Sequence, residues 1–182
     1  MEEYLARSAS GQASRRPLVT LSRLLLKNRS HRGYDPRFIV REDQLRRIIG
    51  VNTRIPSARN QQVLRFRPVL ADEAPKVLPH IRLGGALPEL HLPLPGTEPN
   101  AFIIICSTVA EDRYVDIDLG ISVQSMLLQA AEIGLNGICI GAFDKERIRQ
   151  KFHLESEPLL ILAIGKGCLL YTSPSPRDRT RS

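Results

Sequence analysis

The chain has 182 residues, 42% of them hydrophobic and 25% charged, a composition that excludes wholesale disorder and suits one domain with a real core. No apolar run reaches the ~20 residues needed to cross a bilayer, so no membrane partner is expected. A net charge of +7 raises nucleic acid as a ligand, but Arg15, Arg16, Arg29, Arg32, Arg46, Arg47, Arg65 and Arg67 are dispersed, aromatics are 5% and Trp is absent, so a base-stacking platform is poorly supplied and no nucleic acid is expected.

Residues 1–16 read as a flexible N-terminal arm. Over 17–27, Leu18, Leu21, Leu24 and Leu25 fall at i, i+3, i+4 spacing, which predicts an amphipathic helix ending beside Asn28. The next segment is Asn28-Arg29-Ser30-His31-Arg32. Two guanidinium groups three residues apart, with a serine hydroxyl between them, form a compact phosphate receptor because arginine donors fork around phosphate oxygens. His31 reads as a solvated loop histidine. Glu42-Asp43-Gln44 open a second helix, with acids where the macrodipole favours them and Leu45, Ile48 and Ile49 as its apolar members. Pro56 stops helical continuation and begins the loop Pro56-Ser57-Ala58-Arg59-Asn60-Gln61-Gln62. Its side chains offer both donors and acceptors, as a flat ring with carbonyls and N–H groups requires. Together the two polar segments point to a phosphorylated, ring-bearing cofactor.

Leu64-Arg65-Phe66-Arg67 alternates as a half-exposed strand, and 71–80 reads as a short helix. Residues 81–99 are a Gly/Pro-rich excursion of the functional or mobile kind. Ala101 to Cys106 is a buried strand. Ile117 to Ile133 is apolar on most of its circumference and predicts an enclosed helix, capped by Asp116 or Asp118 and ended by Gly134. Its small residues Gly120, Ser122, Ser125, Ala130 and Ala131 would admit another helix closely. Strand 136–141, helix 144–152 with Asp144 at its start, and strand 159–164 complete the order. The result is an α+β domain over 17–167, with a mixed, mainly antiparallel central sheet flanked by helices. Residues 168–182 turn abruptly into Ser/Pro/Arg-rich sequence and read as a non-native or disordered tail.

Several chemistries find no support. His31, His80, His91 and His153 show no HxxxH or HExxH spacing, and no cysteine pair accompanies them, so no metal site is expected. Cys106, Cys139 and Cys168 cannot all pair and favour reduced thiols in a cytoplasm; Cys106 and Cys139, inside apolar runs, read as core. A GxSxG elbow, a Walker A loop and GxGxxG are all absent. Asp116 and Asp118 read as caps. No catalytic side chain is assigned, which fits a cofactor that carries the electrons while the protein binds and orients it.

Four landmarks in order over roughly 18–166 resemble the nitroreductase family of FMN-dependent oxidoreductases. Arg29-Ser30-His31-Arg32-Gly33-Tyr34-Asp35 resembles R-S-x-R followed by an aromatic and an acid. Pro56 through Gln62 resembles P-S-x-x-N-x-Q, with Arg59 where many members have glycine. Asp118-Leu119-Gly120-Ile121-Ser122-Val123-Gln124 resembles D-x-G-I-x-x-Q, and Gly134 through Gly141 resembles G-L-x-x-x-x-I-G.

The resemblance implies a homodimer with FMN at each side of the interface. By position, Asn28, Arg29, Ser30 and Arg32 would hold the phosphate and ribityl chain. Pro56, Ser57, Ala58, Arg59, Asn60 and Gln62 would contact the flavin from the partner subunit, and Gly141 and Ala142 would lie near flavin N5. NADH or NADPH would reduce FMN, which would pass electrons to a nitroaromatic, quinone or similar small-molecule acceptor by a ping-pong mechanism. Family members typically continue past the last core strand toward the partner and the phosphate. With the 168–182 tail in that place, a C-terminally truncated member with weakened FMN retention or dimerisation is expected. The rival readings are a specialised flavin enzyme of the same fold and a non-catalytic binder of anionic ligands or RNA.

Overall fold

Seven consecutive buried residues, Ala101–Ser107, form the strand around which the rest is laid. The structure, a computed structural model, describes residues 19–84 and 92–169. Its elements are α1 (Leu21–Lys27), β1 (Gly33–Tyr34), α2 (Glu42–Ile49), β2 (Leu64–Val69), β3 (Ala101–Ser107), α3 (Arg113–Glu132), β4 (Asn136–Ile140), α4 (Lys145–Lys151), β5 (Glu157–Gly165) and β6 (Gly167–Leu169). Residues 71–80 hold two 3-10 turns, Ala74–Lys76 and Leu78–His80, in place of the expected short helix. Pro75 and Pro79 each lack the N–H that a continuing helix would use.

The central sheet runs β2-β3-β5-β4, and every pairing in it is antiparallel. Its two faces carry separate cores. Phe102, Ile104, Cys106, Ile161 and Ala163 meet Val77, Ile148 and Phe152 on one side. Ala101, Ile103, Ile105, Leu162 and Ile164 meet Leu45, Ile48, Val123, Met126 and Ala130 of α2 and α3 on the other. With both faces covered, β3 and the core of β5 have no polar alternation. Burial pushes the Cys106 thiol up to about 11, so it packs as an inert core group.

The helices are set by local chemistry. At α2, the Gln44 side chain accepts from the Arg41 N–H at 3.0 Å, with Glu42 and Asp43 in the first turn and Arg46 and Arg47 in the last. Helix α3 begins earlier than expected. Asp112, neither Asp116 nor Asp118, is the N-cap, its carboxylate accepting from the Tyr114 and Val115 N–H groups at 2.9 and 2.8 Å. Helix α1 is capped by Thr20 and buries none of its residues, with Leu21 61% and Leu26 65% exposed. Its leucine stripe is therefore not seated in this chain's core; Leu18 lies outside the described residues.

Candidate functional site

The Asn28–Arg32 segment leaves α1 and lies along β4, the edge strand. Ser30 forms a parallel bridge with Gly137, and the His31 N–H donates to the Gly137 carbonyl at 3.2 Å. Asn28 Nδ2 donates to Gln124 Oε1 of α3 at 3.4 Å. Asn28, Arg29, Ser30 and Arg32 thus line one depression of about 310 Å³, floored by Gly137, Ile138 and Cys139. Among the described residues, no carboxylate lines it. The Arg32 Nε is buried without a hydrogen-bond partner, a donor costly to leave unmade. A charged oxygen ligand answers that cost, so the donor set fits a phosphate.

Two expectations fail here. Cys139 is exposed, not core, because Ile138 and Ile140 take the core side of β4 while Cys139, on the other side, opens into the Asn28–Arg32 depression. His31 is buried, not solvated, at 7% exposure with its Nδ1 unpartnered. Gly167 abuts that ring so closely that a Cβ there would collide with His31 Nδ1 and stand 2.9 Å from Asn136 Oδ1. Tyr34 Oη donates to the His31 carbonyl at 2.8 Å, and β1 pairs with β6 beyond it. The Asn28–Arg32 loop is thereby wedged between two strands, which a sequence signal of loop polarity cannot report.

Burial holds the His31 imidazole below its ordinary 6.5. Arg29, Arg32 and Tyr34 on its own segment, Cys139 on β4, and Lys166 and Cys168 about β6 supply no negative carboxylate to offset a proton. The neutral ring is favoured only in the folded state, so stability is complete above about pH 6.5 and falls as acid protonates the unfolded chain preferentially. Thermal melts between pH 7.5 and 5 should show this loss, and His31→Gln should flatten it; an unchanged slope would refute the assignment.

The Pro56–Gln62 loop sits elsewhere. Its Ala58 N–H donates to both Asp118 carboxylate oxygens at 2.8 and 3.1 Å, Gln62 N–H donates to Ser57 Oγ at 3.2 Å, and Gln62 Nε2 donates to Asn60 Oδ1 at 2.9 Å. Asp118 is thus the loop's anchor, which corrects its reading as a cap. Arg59, Asn60 and Gln62 all hold left-handed backbone, with φ of 51°, 54° and 49°. At 59 such a conformation favours glycine. Arg59 instead stacks its guanidinium over Tyr114, 5.3 Å from the ring centroid. Pro56, Ser57 and Gln62 line a larger cavity of about 550 Å³ with Asn52, Asp118 and Ser122. That cavity and the Asn28–Arg32 depression share no lining residue, so one chain does not bring the two segments together. Both are tied to α3, at Asp118 and Gln124. Asp118→Ala should cost about 1.5–3 kcal/mol, the range for hydrogen bonds to a charged group. Chemical denaturation would measure it, and protease cleavage within 56–62 should rise in parallel.

Gly141 and Ala142 follow β4 directly. They lie four and five residues from Gly137, about 13–17 Å along an extended strand. Both are exposed, and neither N–H has a hydrogen-bond partner among the described residues. The Ala142 carbonyl accepts from the Arg82 N–H at 2.9 Å and the Asp144 N–H donates to the His80 carbonyl at 2.9 Å, which pins the loop. His80, weighed in the sequence only as a metal ligand, and Arg82, not singled out there, are tied to the loop by these backbone bonds.

No helix among the described residues is long and apolar enough to cross a membrane. A nitroreductase family model matches residues 86–166. A protein of Methanocaldococcus jannaschii named as a nitroreductase is 33% identical over 54 residues, covering 30% of this chain and 27% of that protein's length. The structure of a nitroreductase family protein from Clostridium difficile 630 superposes with a TM-score of 0.69 at 24% identity, covering 90% of this chain and 94% of that one. One from Staphylococcus epidermidis, named as an NAD(P)H:FMN oxidoreductase, gives 0.68 at 22% identity, covering 94% and 99%. The chain thus has the antiparallel, helix-flanked fold of these nitroreductase family proteins and over residues 86–166 is similar in sequence to that family.

Proposed function

We propose that this chain binds FMN and acts as an NAD(P)H-dependent oxidoreductase on nitroaromatics, quinones or similar small acceptors, by a ping-pong mechanism in the cytoplasm. The observation that carries the reading is the depression of Asn28, Arg29, Ser30 and Arg32, with its buried unpartnered Nε, at one end of β4 and the free Gly141 and Ala142 amides at the other. FMN, when bound, supplies reversible electron transfer at its ring. The chain's part is to hold and orient it. Arg29 and Arg32 neutralise the phosphate, and Ser30 and Asn28 supply neutral contacts to phosphate and ribityl. The Gly141 and Ala142 N–H groups offer donors at the reacting edge of the ring.

The Pro56–Gln62 loop reaches that ring only in a second copy of the chain, so the working unit is a homodimer. Support comes from the exposed Leu21, Leu25 and Leu26 of α1 and from Tyr114 and Ile117 of α3. Gly120 agrees with it: an exposed glycine inside a helix costs about 1 kcal/mol, and beyond its own helix backbone no atom of the described residues comes within 4 Å of its missing Cβ. The deciding experiment is an FMN titration of the purified protein followed by its visible spectrum, then anaerobic bleaching with NADH or NADPH and recolouring by a quinone. Saturable uptake with reversible bleaching is expected. A protein that takes up no FMN ends the proposal.

A further inference from the structure

Residues 80–82 and 142–144 run antiparallel, joined by the two backbone hydrogen bonds above, with Ile81 and Phe143 paired between them. Side chains alternate across extended backbone. Ile81 and Phe143 therefore share one face, and both pack on the core cluster of Phe102 and Phe152. His80, Arg82, Ala142 and Asp144 share the other, and together with Pro79 and with Ile81 and Phe143 between them they line an open cavity of about 420 Å³. Asp144 is already engaged, its carboxylate accepting from the Arg147 N–H at 3.0 Å as the cap of α4. Arg82 is exposed and pairs with no carboxylate among the described residues, and the His80 ring makes no hydrogen bond there. An exposed arginine is ordinarily just solvated. This one is carried by the backbone that pins the Gly141–Ala142 loop, and it lines the same cavity as Ala142.

We propose that His80 and Arg82 form an anion-binding subsite for the second substrate, taking a carboxylate or phosphate group of the molecule that exchanges electrons with the flavin. This rests on the FMN reading, since the cavity shares Ala142 with the loop assigned to the ring. A guanidinium fork matches either group in a bidentate fashion, and the imidazole adds a donor or acceptor beside it. The anion has two sources: a carboxylate on the acceptor, or the diphosphate of the nicotinamide dinucleotide.

The test begins with FMN affinity of the wild type, Arg82→Ala and Arg82→Lys; if none takes up FMN, the flavin reading has failed and the subsite is judged by binding alone. With equal FMN loading, KM is measured for 4-nitrobenzoate and nitrobenzene, and for NADH and NADPH. Arg82→Ala should raise KM about tenfold, one decade per 1.4 kcal/mol, for nitrobenzoate but not nitrobenzene if the acceptor supplies the anion. If the donor supplies it, both dinucleotides should shift instead and the acceptors stay level. Arg82→Lys should recover part of either loss. No shift in any KM, or a tenfold loss of FMN affinity in its place, overturns the proposal. Independently of turnover, sodium benzoate or pyrophosphate titrated into the protein should move the His80 ring resonance saturably, benzamide should not, and Arg82→Ala should abolish the shift. The same shift in that variant would refute the subsite. The variant keeps its fold because the Arg82 contribution to it is a backbone bond.

Discussion

Replacing Arg29 and Arg32 together by alanine should yield a folded protein that no longer retains FMN. The two guanidinium groups line the depression in which Asn28 and Ser30 also meet. Removing one partner of a desolvated, hydrogen-bonded charge pair costs about 2–5 kcal/mol. At 1.4 kcal/mol per decade, one such loss is roughly 30-fold or more in affinity and two approach a thousandfold. The fold should survive, because the loop is held by backbone: Ser30 on Gly137, the His31 N–H on the Gly137 carbonyl, and the His31 carbonyl under Tyr34 Oη. Flavin fluorescence quenching measures the affinity and a thermal melt controls for folding. Wild-type affinity in the double variant would remove the phosphate assignment.

Gly137→Val should damage stability and cofactor retention together. A Cβ at this position would lie 2.7 Å from Leu127 Cδ2 and 2.8 Å from the Ala163 carbonyl oxygen. The leucine can rotate away, but the carbonyl belongs to β5 in the middle of the sheet and cannot yield without parting the β4–β5 ladder. Overpacking of this kind costs about 1–3 kcal/mol, and a β-branched chain against backbone belongs at the upper end. For a domain of this size, about 3 kcal/mol corresponds to roughly 6–12 °C in Tm. The same residue carries the Ser30 bridge and the His31 hydrogen bond, so FMN affinity should fall with Tm. A variant that melts like wild type would show that the floor of the depression is more plastic than its geometry implies.

These outcomes bear on how far the chain could be read in advance. Strand β3 was legible because both of its faces are buried, which leaves an uninterrupted apolar run. Asp144 and the Glu42-Asp43-Gln44 start were legible because capping is a contact among near neighbours. The start of α3 was not: Asp112, Asp116 and Asp118 are three carboxylates within seven residues, and any of them suits a helix N-terminus. What distinguishes Asp118 is the Ala58 N–H, sixty residues away in the chain. Cys139 misled for a similar reason, since an apolar pentapeptide looks alike in a central strand and at an edge.

The sequence by itself determined the α+β class, the order of the main helices and the four strands of the central sheet, and the grouping of Asn28, Arg29, Ser30 and Arg32 in one polar segment, because periodicity, capping and clustered polar residues act over a few residues. Only the tertiary structure decided that His31 is a buried wedge, that Asp118 anchors the Pro56–Gln62 loop, and that Arg82 stands beside Ala142. Those facts depend on which surfaces meet across the sheet and along α3, and long-range pairing leaves no local trace in side-chain chemistry.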